Sequence, residues 1–310
     1  MIIKKKIADK IKNLFLTTWA AKRISYRTGS RMIKYFTGTP YARQKYFKKK
    51  VRAFKTFLKD SEISDGGVQM LSEMLEKSFI KQWRLASFSY LSDKKFTKYV
   101  QISNLETLVE SHNKGKGVIL LNSHFGYGEM SISIIPRIGF QDFYTIIGTR
   151  GADTPKFTAI NPDIKAKTLV FSNLSTAELF KVLMEARQVL NNGGIIHLLG
   201  DGYQGKSGIT FPFIGKLRTF RESYAELALS TDAEIIPIFI YPKKNNFIQV
   251  DLYPVLDKGN DEMSRKKRIN SIIKQYVDLL SEKWMESPQL INPGHIEAYL
   301  NHVDKEIKIN

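Results

Sequence analysis

The chain has 310 residues, 43% apolar and 25% charged, with no cysteine and a formal net charge of +18. That length allows one large domain or two small ones around a substantial buried core. The lack of cysteine excludes disulfides, thiolate metal sites and a thioester formed on the protein itself, and it fits a reducing compartment.

The positive charge sits at one end. Residues 1–60 hold 18 Lys and Arg against two acids, Asp9 and Asp60, whereas the remaining 250 residues hold 30 against 28. A basic segment of this kind suits a partner dense in negative charge. Ile7, Ile11, Leu14, Phe15 and Trp19 recur at three- and four-residue steps, flanked by Lys4, Lys5, Lys10, Lys12, Lys22 and Arg23. The spacing predicts an amphipathic helix that lies on an anionic membrane surface; the alternative is a helix packed on the protein's own core. Nucleic acid is not an expected partner, because no recognition motif accompanies the charge. No apolar run approaches the roughly 20 residues of a spanning helix, and no signal peptide is expected.

Residues 62–100 read as helical, with Met70, Leu71, Met74, Leu75, Phe79 and Trp83 spaced for burial. From residue 116 the pattern changes to alternating strands and helices. Strands are expected at 117–121, 143–147, 195–199 and 235–241. Helices are expected at 127–136, 175–190 and 220–230, the second carrying Leu179, Val182, Leu183, Ala186 and Leu190 and stopped by Asn191-Asn192-Gly193-Gly194. A last helix near 264–285 carries Ile269, Ile272, Ile273, Tyr276, Leu280 and Trp284, with Pro288 barring its continuation. The expected fold is α/β, a mixed sheet flanked by helices with a basic helical N-terminal extension. The expected division is a basic helical region over 1–104 and an α/β domain with a C-terminal helix over 105–310.

The strand 117–121 runs into Asn122-Ser123-His124-Phe125-Gly126-Tyr127-Gly128-Glu129. Reactive groups collect where strands end and helices begin. Two glycines permit a tight turn that brings Glu129 within reach of His124. A neutral imidazole can take the proton of an attacking hydroxyl, and a carboxylate on its other nitrogen fixes the tautomer. No serine or cysteine nucleophile is evident, so the acceptor hydroxyl itself is the expected nucleophile.

These residues resemble the bacterial lipid A biosynthesis acyltransferase family, within the wider glycerolipid acyltransferase group that carries a His-x4-Asp/Glu motif. The resemblance runs over Leu105-Glu106, Gly115 to Leu121, His124-Phe125-Gly126, Glu129, Asn191 to Gly194, Gly200-Asp201, Phe211 to Gly215, Leu227-Ala228 and Ala233 to Pro237. The order of these blocks is more specific than any one of them. The resemblance implies O-acyl transfer from an acyl-carrier-protein (acyl-ACP) or acyl-CoA donor to a lipid or glycolipid hydroxyl. The implied location is peripheral, at the cytoplasmic face of a bacterial inner membrane. It implies His124 as base and Glu129 as its partner. Arg150, Asp201, Gly215 and Arg218 are candidates for substrate contact, and Asp201 equally fits a turn residue capping a strand. No cofactor or metal is implied. The chain departs from the family at Tyr127-Gly128, at the missing N-terminal transmembrane helix and over Pro288 to His295, which bears on the acceptor more than on the chemistry.

Two rival readings remain. Gly200 to Ser207 fits a P-loop by letter, but a P-loop must open a helix, and Gly208, Pro212 and an extended 209–214 come next instead. A non-catalytic membrane-binding scaffold of the same fold is the other. A metal site finds little support, since His197 lies in an apolar strand and His112, His295 and His302 lack ligand spacing.

Overall fold

A computed structural model of the chain describes residues 18–38, 48–63, 67–148, 160–164, 167–171, 176–201 and 208–306. Its strands are β1 (Val100–Ser103), β2 (Val118–Asn122), β3 (Phe143–Gly148), β4 (Lys167–Phe171), β5 (Ile195–Leu199), β6 (Ile209–Phe213), β7 (Lys216–Phe220), β8 (Glu234–Pro242) and β9 (Ile248–Leu252). Seven of them form one mixed sheet in the order β1-β9-β8-β2-β5-β3-β4, and β6 and β7 form a separate hairpin. Neighbours in the sheet are parallel except β8 and β9. Only the short turn Lys244–Asn246 joins that pair. A connection so brief can link antiparallel strands alone.

The centre of the sheet is β2, buried at all five residues. Its alternating side chains feed two cores. Ile119 and Leu121 join Ile235, Phe239, Tyr276 and Trp284 on one face, while Val118 and Leu120 join Ile236, Ile238, Ile240 and Phe143 on the other. Burial of each such side chain contributes about 1.5–3 kcal/mol. The helix Arg265–Glu286 covers the first face with Ile269, Ile272, Ile273, Tyr276, Val277, Leu280 and Trp284, and Ser264 caps it by accepting from the Lys267 amide. The helix Gly67–Ser89 buries Met74, Leu75 and Trp83 as its spacing predicts. The expected side chains of Phe79 and Leu179 lie outside the described residues.

Several expectations are corrected. Residues 62–100, expected to be helical, are helical over Gly67–Ser89 and Asp93–Tyr99 and turn to strand at Val100. After Ser89 the chain turns, forms the helix Asp93–Tyr99, and then becomes β1 at the sheet edge. Both β1 and the Gly67–Ser89 helix precede residue 104, yet β1 pairs with β9 and Leu85 and Phe88 lie in the core beneath the sheet. The expected helix 127–136 is broken into short pieces, the 3-10 turns Gly128–Met130 and Pro136–Ile138 with the one-turn α-helix Ser131–Ile134 between them; Pro136 has no backbone N–H with which to continue a ladder. Leu183, one of the apolar residues at helical spacing in the helix Thr176–Asn191, is 39% exposed beside Phe180 and Met184. A C-terminal helix, Pro293–Glu306, forms after the break at Pro288, and buries Ile296 and Tyr299. No helix among the described residues is long and apolar enough to cross a membrane. Of the N-terminal stripe only Trp19 is described, and it is 57% exposed while Ala20 and Ala21 beside it are buried.

Candidate active site

Strand register decides which side chains meet. Asn122 of β2 pairs with Leu199 of the parallel β5, and the Gly200 amide donates to the Asn122 carbonyl at 2.8 Å. Two residues further along each strand stand His124 and Asp201, so both leave the same carboxyl end of the sheet, where α/β folds place their sites. The His124 backbone amide donates to Asp201 Oδ2 at 2.9 Å, and His124 Nδ1 lies 2.8 Å from Asp201 Oδ1. An ionised carboxylate only accepts, so Nδ1 carries a proton, and in the neutral ring Nε2 then presents its lone pair. Among the described residues Nε2 has no hydrogen-bond partner, and the side chain is 27% exposed.

Asp201 is wholly buried. Burial pushes its pKa up, but the charge and hydrogen bond of His124 and the charges of His295 and Arg218 outweigh it, holding the carboxyl far below the ordinary carboxylate range. Arg218 Nη2 donates to the Asp201 backbone carbonyl at 2.7 Å. The guanidinium itself lies over the rings of Phe213, Phe220 and Trp284. Arg218 thus acts on Asp201 through its backbone and its charge.

The orienting position expected for Glu129 is occupied by Asp201. Glu129 lies instead in the Gly128–Met130 turn, with Oε2 3.2 Å from Lys81 Nζ. The turn is fixed by close approach. A Cβ on Gly128 would stand 2.6 Å from Asn122 Oδ1, and Gly126 adopts a φ of +62. The Asn122 amide donates to the Gly128 carbonyl at 3.2 Å, closing the loop around His124. Gly215 forms the tip of the β6–β7 hairpin with Ile214, at φ of +73 and +51; this two-residue turn demands such a residue, and nothing in its position brings it to His124. Arg150 lies outside the described residues. So do residues 202–207 of the apparent P-loop, and the next element is β6, a strand where phosphate binding requires a helix N-terminus.

One site residue has no sequence signal. His295 opens the C-terminal helix and stacks on His124, ring centroids 3.8 Å apart, with Nδ1 3.7 Å from Asp201 Oδ2. The Gly126 amide donates to the Leu290 carbonyl at 2.9 Å and tethers the His124 loop to this segment. Burial, then the charge of His124, push the pKa of His295 down to about 3 against the opposing pull of Asp201. Ligand-type atoms of His124, Asp201 and His295 lie within 4.8 Å of one another.

His197 is a structural histidine. It is buried beneath the loop, between Ser131 Oγ at 3.1 Å and Thr145 Oγ1 at 3.0 Å. Burial pushes its pKa down to about 4, against a smaller upward pull from Glu129. The unfolded chain therefore binds a proton below about pH 6.5 that the native protein refuses. Stability is expected to fall by about 1.4 kcal/mol per unit for this group as pH drops from 6.5 towards 4. Urea titrations between pH 4.5 and 7 check this: His197→Gln should flatten the slope, and an unchanged slope refutes the assignment.

The model of the bacterial lipid A biosynthesis acyltransferase family matches residues 66–286. No curated protein matches the chain.

Proposed function

The chain belongs to the bacterial lipid A biosynthesis acyltransferase family, and from that premise we propose that it transfers a fatty acyl group from an acyl-ACP or acyl-CoA thioester to a hydroxyl of a membrane lipid or glycolipid. The observation that carries this reading is the state of His124: Nδ1 is held by a buried carboxylate and Nε2 is accessible. In the proposed step Nε2 removes the proton from the acceptor hydroxyl as its oxygen adds to the thioester carbonyl. Collapse of the tetrahedral intermediate forms the ester and breaks the carbon–sulfur bond. The departing thiolate takes the proton back from the imidazolium, whose charge Asp201 stabilises meanwhile.

The test is direct. Purified protein with palmitoyl-ACP or palmitoyl-CoA and a lipid A precursor should yield a product heavier by one acyl group in mass spectrometry. Free fatty acid as the sole product with either donor refutes transfer.

We place the protein on the cytoplasmic face of the inner membrane, peripherally bound. The concentration of positive charge in residues 1–60 supports this, as do the exposed Trp19, Met32 and Tyr35 of the N-terminal helices. Flotation with phosphatidylglycerol vesicles should weaken with salt, because the Debye length is about 8 Å at physiological ionic strength. Exchange of Leu14, Phe15 and Trp19 for Ser should release the protein even at low salt. Unchanged flotation after removal of residues 1–20 overturns this docking.

A further inference from the structure

Two lysines of the Gly67–Ser89 helix lie against the loop that carries His124. Lys77 and Lys81 are one turn apart, so their side chains leave the same helical face. Lys77 is only 7% exposed, and its Nζ has no hydrogen-bond partner among the described residues. It lies 5.5 Å from the ring centroid of Phe125, the residue after His124. Lys81, with a side chain 12% exposed, pairs with Glu129 of the His124 loop. The charge of Lys81 reaches His295, which stacks on His124. Both ammonium groups therefore lie against the loop that carries His124.

The charges there do not balance. Glu129 answers Lys81, while Lys77 meets, among the described residues, only an aromatic face and a like charge. Burying an ammonium group without a counter-ion costs several kcal/mol, and burial with the Lys81 charge drives the pKa of Lys77 well below its ordinary value. A methionine or leucine would fill this helical position at no such cost. The strain is relieved when an anion enters and takes hydrogen bonds from Nζ.

We infer that Lys77 and Lys81 form an anion subsite beside His124 that binds a phosphate group carried by one of the two substrates. It rests on the reading of His124 as the reacting base. The phosphate is either that of the donor's phosphopantetheine arm or one on the acceptor's sugar. Both present the same tetrahedral oxyanion, and the subsite fixes how far that phosphate stands from the reacting carbon.

Calorimetry on the full chain tests this without any turnover. Inorganic phosphate, coenzyme A and glucosamine 1-phosphate are titrated into the wild type and into the Lys77→Met, Lys81→Met and Lys116→Met proteins. Lys116 is an exposed control paired with Asp232. Lys77→Met is expected to weaken phosphate about 10- to 100-fold, the loss of one charge-assisted hydrogen bond. Lys81→Met should weaken it less, and Lys116→Met not at all. A matching loss for coenzyme A assigns the subsite to the donor, and one for glucosamine 1-phosphate assigns it to the acceptor. Lys77→Met should melt no lower than wild type, since it removes an uncompensated charge; should it fail to fold, Lys81→Met decides alone. Equal phosphate affinity in the wild type and both lysine variants, or no binding by the wild type, overturns the inference. His124→Ala separates the two ideas: phosphate binding that survives in it while acyl transfer also survives refutes His124 as base and leaves the subsite standing.

Discussion

His124→Ala is expected to fold normally and to lose acyl transfer by about 10²–10⁴-fold, the typical contribution of a general base. The imidazole is partly exposed and packs chiefly on His295, so its removal leaves no large void in the core. Its backbone amide keeps the bond to Asp201 Oδ2 whatever the side chain. The loss should fall on kcat, because Nε2 acts on the hydroxyl as it attacks and not on binding of either substrate. The measurement is steady-state transfer with near-ultraviolet circular dichroism as the folding control. A folded variant that turns over normally eliminates the mechanism.

Asp201→Asn is expected to cost nearly as much, and Glu129→Gln much less. Asp201 accepts from both the amide and Nδ1 of His124. An Asn carbonyl can take only one of these, and its NH2 must then face the other. If it faces Nδ1, the proton moves to Nε2 and the base is lost; the corresponding Asp→Asn change in a serine protease triad costs about 10⁴-fold in kcat for the same reason. Glu129→Gln leaves the tautomer of His124 alone and weakens the pairing with Lys81. The reverse ranking would restore Glu129 as the orienting carboxylate. Acid stability gives a second reading of Asp201. Its folded pKa is depressed, so its contribution is full above the unfolded value of about 3.9 and is lost as pH falls through the folded one. The acid limb of the unfolding curve should therefore lose that component in Asp201→Asn.

Much of this was legible in the chain because local signals and the global fold agree. The run Val118 to Leu121 is apolar without alternation, as a strand buried on both faces must be, and the Arg265–Glu286 helix repeats its apolar residues at three and four. The motif strand-His124-Phe125-Gly126 marked the site for the same reason: a histidine just past a buried strand stands at the sheet's carboxyl edge. Two short strands, one at an edge of the sheet and the other its neighbour, were not legible. Val100–Ser103 and Ile248–Leu252 alternate polar and apolar residues over only four and five positions, too few to separate from a helix or loop.

What only the tertiary structure decided is the partner of His124. Spacing along the chain pointed to Glu129, five residues on. The register of β2 against β5, a contact between segments far apart in sequence, brings Asp201 to Nδ1 instead. His295 arrives by the same kind of event, carried by a C-terminal helix docked through Ile296 and Tyr299. The sequence by itself determined the residue types, the buried strand and the base at its end, because these depend on hydrophobicity and turn chemistry over a few positions. Which carboxylate and which second ring meet that base depends on strand pairing and helix docking, and those are set by the free energy of the whole core.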